Sequence, residues 1–94
     1  MPNIRKDGKS FDEQTIEAVW NKAKPQPGYT IFRSDACGKD IKRDEYGKQT
    51  KYGWEIDHKK PIAKDGTDDL DNLQPLYWET NRAKGDTYPW KCPG

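Results

Sequence analysis

The chain has 94 residues, 31% hydrophobic and 35% charged, which limits it to one domain with a thin core. Its aromatic share of 12%, with four Trp and five Tyr, is too high for a disordered chain and provides large buried areas per residue. A formal charge of +1 excludes a strong overall field, and no apolar run is long enough to read as a membrane span.

Charge is unevenly spread. Arg5, Lys6 and Lys9 crowd the N-terminus, Lys39, Lys42, Arg43, Lys48 and Lys51 populate the middle, and Asp65, Asp68, Asp69 and Asp71 form an acidic run. The N-terminus carries no signal-peptide pattern. The expectation is therefore a cytoplasmic protein, in a bacterial or phage-infected cell, with Cys37 and Cys92 reduced. A bridge tying the tail to the middle of the chain is the alternative.

Residues 1–9 read as a flexible basic lead-in, and residues 10–94 as the domain. Ser10 and Glu13 form an S-x-x-E capping box, and Ile16, Val19, Trp20 and Ala23 follow at helical spacing, predicting a helix over 11–23. Pro25, Pro27 and Gly28 end it. Tyr29–Arg33 is β-prone, and a turn at Asp35–Gly38 with a second short strand near Lys39–Arg43 makes a hairpin. Lys51–Asp57 reads as a strand with Tyr52, Trp54 and Ile56 on one face. Lys59–Asp71 is mostly loop, and Leu73–Leu76 suits an edge strand because of Pro75. Tyr77–Lys84 suits a helix ended by Gly85, and the aromatics of the tail are expected to pack back onto the domain.

One constellation carries chemistry: Trp54-Glu-Ile-Asp-His58, Pro61, Gly66, Asp71-Asn-Leu-Gln-Pro-Leu76 and Asn81-Arg-Ala-Lys-Gly-Asp86. Asp57 offers a hard oxygen ligand beside His58, an imidazole that can act as a general base near neutral pH. Asp57 with the neutral oxygen of Asn81 makes a low-charge pair suited to magnesium or manganese rather than zinc. Neighbouring strand residues point to opposite faces, so the strand must end, bend or bulge at Asp57–His58 for both to reach one site. A calcium loop centred on Gly66 fails, since it would put Pro61 where an aspartate is required.

The segment from Trp54 to Asp86 resembles the HNH nuclease signature. Glu55-Ile-Asp-His58 with Pro61 is similar to its first element, Asp71-Asn72-Leu-Gln74 to its middle one, and Asn81-Arg-Ala-Lys-Gly85 to its last, with Asn81 in place of the final histidine. The resemblance implies an α+β fold in which a ββα-metal core over 54–86 follows an N-terminal helix and a β-hairpin. It implies an endonuclease that cuts DNA, with RNA left open. Asp57 and Asn81 would hold one divalent ion, Mg²⁺ or Mn²⁺, His58 would be the general base, and Asn72 would hold the loop that presents His58. Lys59, Lys60, Arg82 and Lys84 are near enough in sequence to contact phosphates, solvated surface being the alternative.

Many proteins of this kind carry two C-x-x-C pairs for a structural zinc. Here Ser34 and Cys37 take the place of the first pair, and Tyr77 and Thr80 that of the second. No structural zinc is expected, and aromatics including Tyr77 and Trp78 are expected to staple that region instead. The alternative reading is a catalytically inactive module of the same shape that binds nucleic acid. A cleavage domain that depends on a targeting partner is a third. Convergence of Asp57, His58 and Asn81 with free polar ends would favour the enzyme, and burial of the imidazole against Trp54 and Ile56 the binding module.

Overall fold

Ile16, Val19 and Trp20 recur at helical spacing and are all buried on one face of helix α1, Glu13–Trp20. The cap is Asp12 rather than the expected Ser10, its carboxylate accepting the Thr15 amide at 2.8 Å. The helix stops before residue 23 because the Lys22 and Ala23 amides tighten onto the carbonyls of Val19 and Trp20, turning the chain into a strand. The computed structural model describes residues 3–93, so residues 1–2 of the expected lead-in and residue 94 lie outside the described residues.

Strand β1 (Lys24–Gln26) pairs antiparallel with β2 (Tyr29–Ser34), which pairs with β3 (Asp40–Lys42). The expected hairpin is therefore the larger part of a three-stranded sheet. The first strand escaped sequence reading because Pro25 punctuates it, and proline is tolerated there on a sheet edge.

A second, two-stranded sheet joins β4 (Trp54–His58) to β5 (Leu73–Tyr77) in antiparallel register, with Ile56 opposite Pro75 and His58 opposite Leu73. All five β4 residues are buried, because helices cover both of its faces. Trp54, Ile56 and His58 face α1 and Phe11 just before its cap: the Trp54 ring lies 5.5 Å from Trp20, and His58 lies 5.9 Å from Phe11. Glu55 and Asp57 face helix α2, Trp78–Lys84, where Asn81, Arg82 and Lys84 meet them. The chain is thus an α+β fold whose C-terminal β4-β5-α2 region has a ββα arrangement.

Trp54 is the centre of the core, fully buried between Trp20 and Tyr46, with its indole N–H donating to the Lys42 carbonyl at 2.9 Å. The N-terminal segment, expected as a flexible lead-in, lies across the molecule instead. Asn3 Oδ1 accepts the Ile56 amide at 2.9 Å and the Tyr46 hydroxyl at 2.7 Å, and the Lys6 amide donates to both Asp68 carboxylate oxygens.

The loop from Lys59 to Asn72 is closed at its base. Asn72 Oδ1 accepts the Lys60 amide at 2.9 Å, while its Nδ2 donates to the carbonyls of Lys60 and Thr67. Only glycine fits at position 66, since a Cβ there would stand 1.7 Å from the Lys60 carbonyl oxygen.

Candidate active site beside strand β4

One edge of β4 pairs with β5, and along the other opens a cavity of about 380 Å³. Asp57, His58 and Asn81 all line it, together with Arg5, Lys6 and Asp86. Of the expected alternatives the strand takes the first: it ends at His58, without a bend or bulge, and His58 is still paired with Leu73. Two neighbours on opposite faces reach one cavity because it lies at the strand's edge, where both faces meet.

His58 is buried, its ring against Phe11, and its Nε2 lies 2.8 Å from Asp68 Oδ1. Burial pushes the Asp68 carboxyl up, but the His58 hydrogen bond and the Lys6 amide outweigh it and hold the group below the ordinary range. An ionised carboxylate only accepts, so Asp68 selects the tautomer with the proton on Nε2. Among the described residues nothing hydrogen-bonds Nδ1, which keeps its lone pair free, and the residue lines the cavity.

Asp57 is held from two sides. Gln74 Nε2 donates to Oδ2 at 2.9 Å, and the Lys84 ammonium lies 3.2 Å from Oδ1 while donating to the His58 carbonyl at 3.0 Å. Burial pushes the Asp57 carboxyl above its usual range despite these partners. Asn81 is anchored by its amide nitrogen, which donates to Glu55 Oε1 at 3.0 Å. Its Oδ1 receives no donor among the described residues and is the side-chain oxygen left for a ligand.

The four basic residues expected near phosphates divide into three kinds. Lys59 and Lys60 are exposed at the end of β4. Arg82 is tied to Glu55 at 2.9 Å, and this hydrogen bond raises its pKa. Lys84 corrects the expectation: with 1% of its side chain exposed and its ammonium on Asp57, it does not reach outward to a phosphate. Asn72 does not line the cavity and acts on the loop behind His58. Among the described residues no three His, Cys, Asp or Glu side chains gather as a metal cage.

Where a zinc would sit, Asp35 joins the same pieces of chain. Its Oδ1 accepts the Cys37 and Lys39 amides at 2.9 and 2.8 Å, and its Oδ2 accepts the Tyr77 amide at 2.7 Å. Cys37 is bonded to Cys92, so the expected reduced thiols give way to a disulfide across 55 residues. The staple is thus a carboxylate and a disulfide more than the expected aromatics, although Tyr77 and Trp78 lie 5.9 Å apart and Lys39 covers the Tyr77 ring. Sequence reading missed Asp35 and Asp68. For Asp35 a signal existed, an Asx turn two residues before Cys37; Asp68 was one of four aspartates in a loop, with nothing to single it out.

No curated protein and no solved structure matches the chain. The sequence profile of the HNH endonuclease family matches residues 35–87, from the Asp35 turn to just past α2. That span is more than half of the chain and contains β4, β5 and α2 entire. The chain belongs to the HNH endonuclease family.

Proposed function

We propose that the protein is a metal-dependent endonuclease that hydrolyses phosphodiester bonds of DNA, with His58 as its general base. The observation that carries this reading is the His58–Asp68 pair, which leaves Nδ1 as a base beside the cavity shared with Asp57 and Asn81. Nδ1 takes a proton from water, and Asp68 stabilises the imidazolium that results. The hydroxide attacks phosphorus, and the 3′ oxygen leaves and takes a proton from solvent, giving a 5′-phosphate and a 3′-hydroxyl. Lys59 and Lys60 at the strand end contact neighbouring phosphates, and Asn72 keeps their loop closed behind the base.

Asp57 and Asn81 fit a magnesium or manganese ion. Both offer hard oxygens, and such ions use few protein ligands and keep waters and substrate phosphate for the rest. When bound, the ion supplies positive charge to the phosphoryl and leaving oxygens. Lys84 already shares Asp57 Oδ1, so the ion must compete with its ammonium. That ion pair, together with the burial of His58 on the β4 face it shares with Trp54 and Ile56, favours the second reading, a non-catalytic module of the same shape that binds nucleic acid.

The test is conversion of supercoiled plasmid with Mg²⁺ or Mn²⁺ by the wild-type protein and by His58→Ala. Loss of a general base lowers the rate by about 10²–10⁴. Equal nicking by both proteins refutes His58 as the base. Salt-sensitive DNA binding without nicking by either selects the non-catalytic module.

A further inference from the structure

The three-stranded sheet carries a second surface away from the cavity. Phe32 on β2 and Lys42 on β3 are register partners, and the Lys42 amide donates to the Tyr52 carbonyl, so these three residues form a row across the sheet. Their side chains interleave. The Phe32 and Tyr52 rings meet edge-on at 4.8 Å, and the Lys42 ammonium lies 6.0 Å from each ring centroid. Lys51 extends the row with its ammonium 5.5 Å from Tyr52, and Tyr29, three positions before Phe32 on β2, brings its ring to 6.3 Å from Phe32. Tyr29 is 62% exposed, far more than packing requires of an aromatic in so small a protein.

Neither Lys42 nor Lys51 has a carboxylate partner among the described residues, whereas Asp40 is engaged with Gln26, and Glu45 with Lys48 and Thr50. Flat aromatic faces beside unpaired ammonium groups match a ligand with π-faces on an anionic backbone. Bases within a duplex are already stacked and hide their faces, so the fit is to unpaired nucleotides. We propose that the Tyr29–Phe32–Tyr52 row with Lys42 and Lys51 binds a single-stranded segment of nucleic acid. This rests on the nuclease reading above and refines its substrate to one with unpaired nucleotides near the cut. Six residues separate Tyr52 from His58, a span of no more than about 20 Å of chain. At about 3.4 Å per stacked nucleotide, that distance corresponds to roughly six nucleotides.

The experiment is fluorescence anisotropy in EDTA, where binding is read without cleavage, using a labelled oligo-thymidine strand and a blunt duplex of equal length. Tyr29→Ala/Tyr52→Ala should weaken single-strand binding by at least about tenfold and duplex binding much less. Lys42→Gln/Lys51→Gln should reduce the slope of log affinity against log salt by about 1.4 for the single strand. Backbone amide shifts of the wild-type protein on adding the strand should include residues 29–32, 42, 51 and 52, a readout independent of how well any variant folds. Unchanged single-strand affinity and slope in both variants overturns the proposal. So do shifts confined to the cavity, or a self-association of the wild type that Tyr29→Ala abolishes without affecting oligonucleotide binding. Binding at this face without plasmid nicking would defeat the catalytic reading alone. Nicking with both variants binding as wild type would defeat this proposal alone.

Discussion

Asp35 Oδ2 accepts the Tyr77 amide at 2.7 Å, across 42 residues of sequence. Through its other oxygen the same carboxylate gathers the amides of Cys37 and Lys39, and the Ala36 amide adds a bond to the Pro75 carbonyl. A turn and the start of α2 are thereby held together by backbone N–H groups on one anion, with no metal required. Asp35→Ala strips three buried or half-buried donors of their acceptor at about 1–3 kcal/mol each. The expected loss in urea unfolding is about 3–5 kcal/mol. A loss below about 1 kcal/mol would show that water replaces the carboxylate at little cost.

Asp68 is expected to act on the base through its hydrogen bond. Asp68→Asn keeps the size but can present an amide donor or a weaker acceptor to Nε2, so the Nε2–H tautomer is no longer enforced. The rate should fall by about tenfold or more, with substrate affinity little changed. There is also a stability signature. The folded Asp68 pKa lies below its unfolded value, so its contribution is complete above pH about 4 and is lost as pH falls through the lowered value. In Asp68→Asn that part of the acid-induced loss should vanish from unfolding curves measured between neutral and acidic pH. Full activity in the variant would remove Asp68 from the mechanism.

Much of this was legible in sequence, for physical reasons that differ by element. α1 and β4 carry strong periodic patterns, α2 is marked by the Gly85 that ends it, and the residues from Glu55 to His58 and from Asn81 to Gly85 are specific enough to name a family. What escaped is what depends on long-range partners. Asp35 and Asp68 look like loop aspartates until Tyr77 and His58 arrive from 42 and 10 residues away. Lys84 looks like a surface lysine at a helix end, and only the packing of α2 on the Asp57 face buries it. β1 carries a proline, and a short edge strand is too weak a pattern to outrank it.

The Cys37–Cys92 bond ties the tail beside α2, where the Lys84 ammonium lies 5.9 Å from the Trp90 ring centre. Closing a loop of this length removes about 4 kcal/mol of unfolded-state entropy in the chain-entropy account. Thiol reductant, or Cys92→Ser, should therefore lower the urea midpoint substantially. It should also raise proteolytic cleavage within residues 86–93, since few other bonds hold the tail. An identical midpoint with and without reductant would mean that the bridge does not form in solution.

Lys84 and Asp57 make the prediction that joins stability to metal. Removing the ammonium by Lys84→Met leaves the Asp57 carboxylate buried with Gln74 as its remaining hydrogen-bond partner, at a cost of about 3–5 kcal/mol for a broken buried pair. Its pKa, already raised by burial, should rise further, because Lys84 is one of the groups opposing that rise. Sign follows from the raised value: the protonated form favours the fold, so the variant should lose stability as pH climbs from the ordinary carboxylate range through its new pKa. A divalent ion binding at Asp57 replaces the missing positive charge and must no longer displace an ammonium. Thermal unfolding in EDTA and in Mg²⁺ or Mn²⁺ should then show a larger metal-dependent rise in Tm for Lys84→Met than for the wild type. Asp57→Asn in the same background should abolish that rise. A metal response that is equal in all three proteins would place the ion elsewhere and detach Asp57 from metal binding.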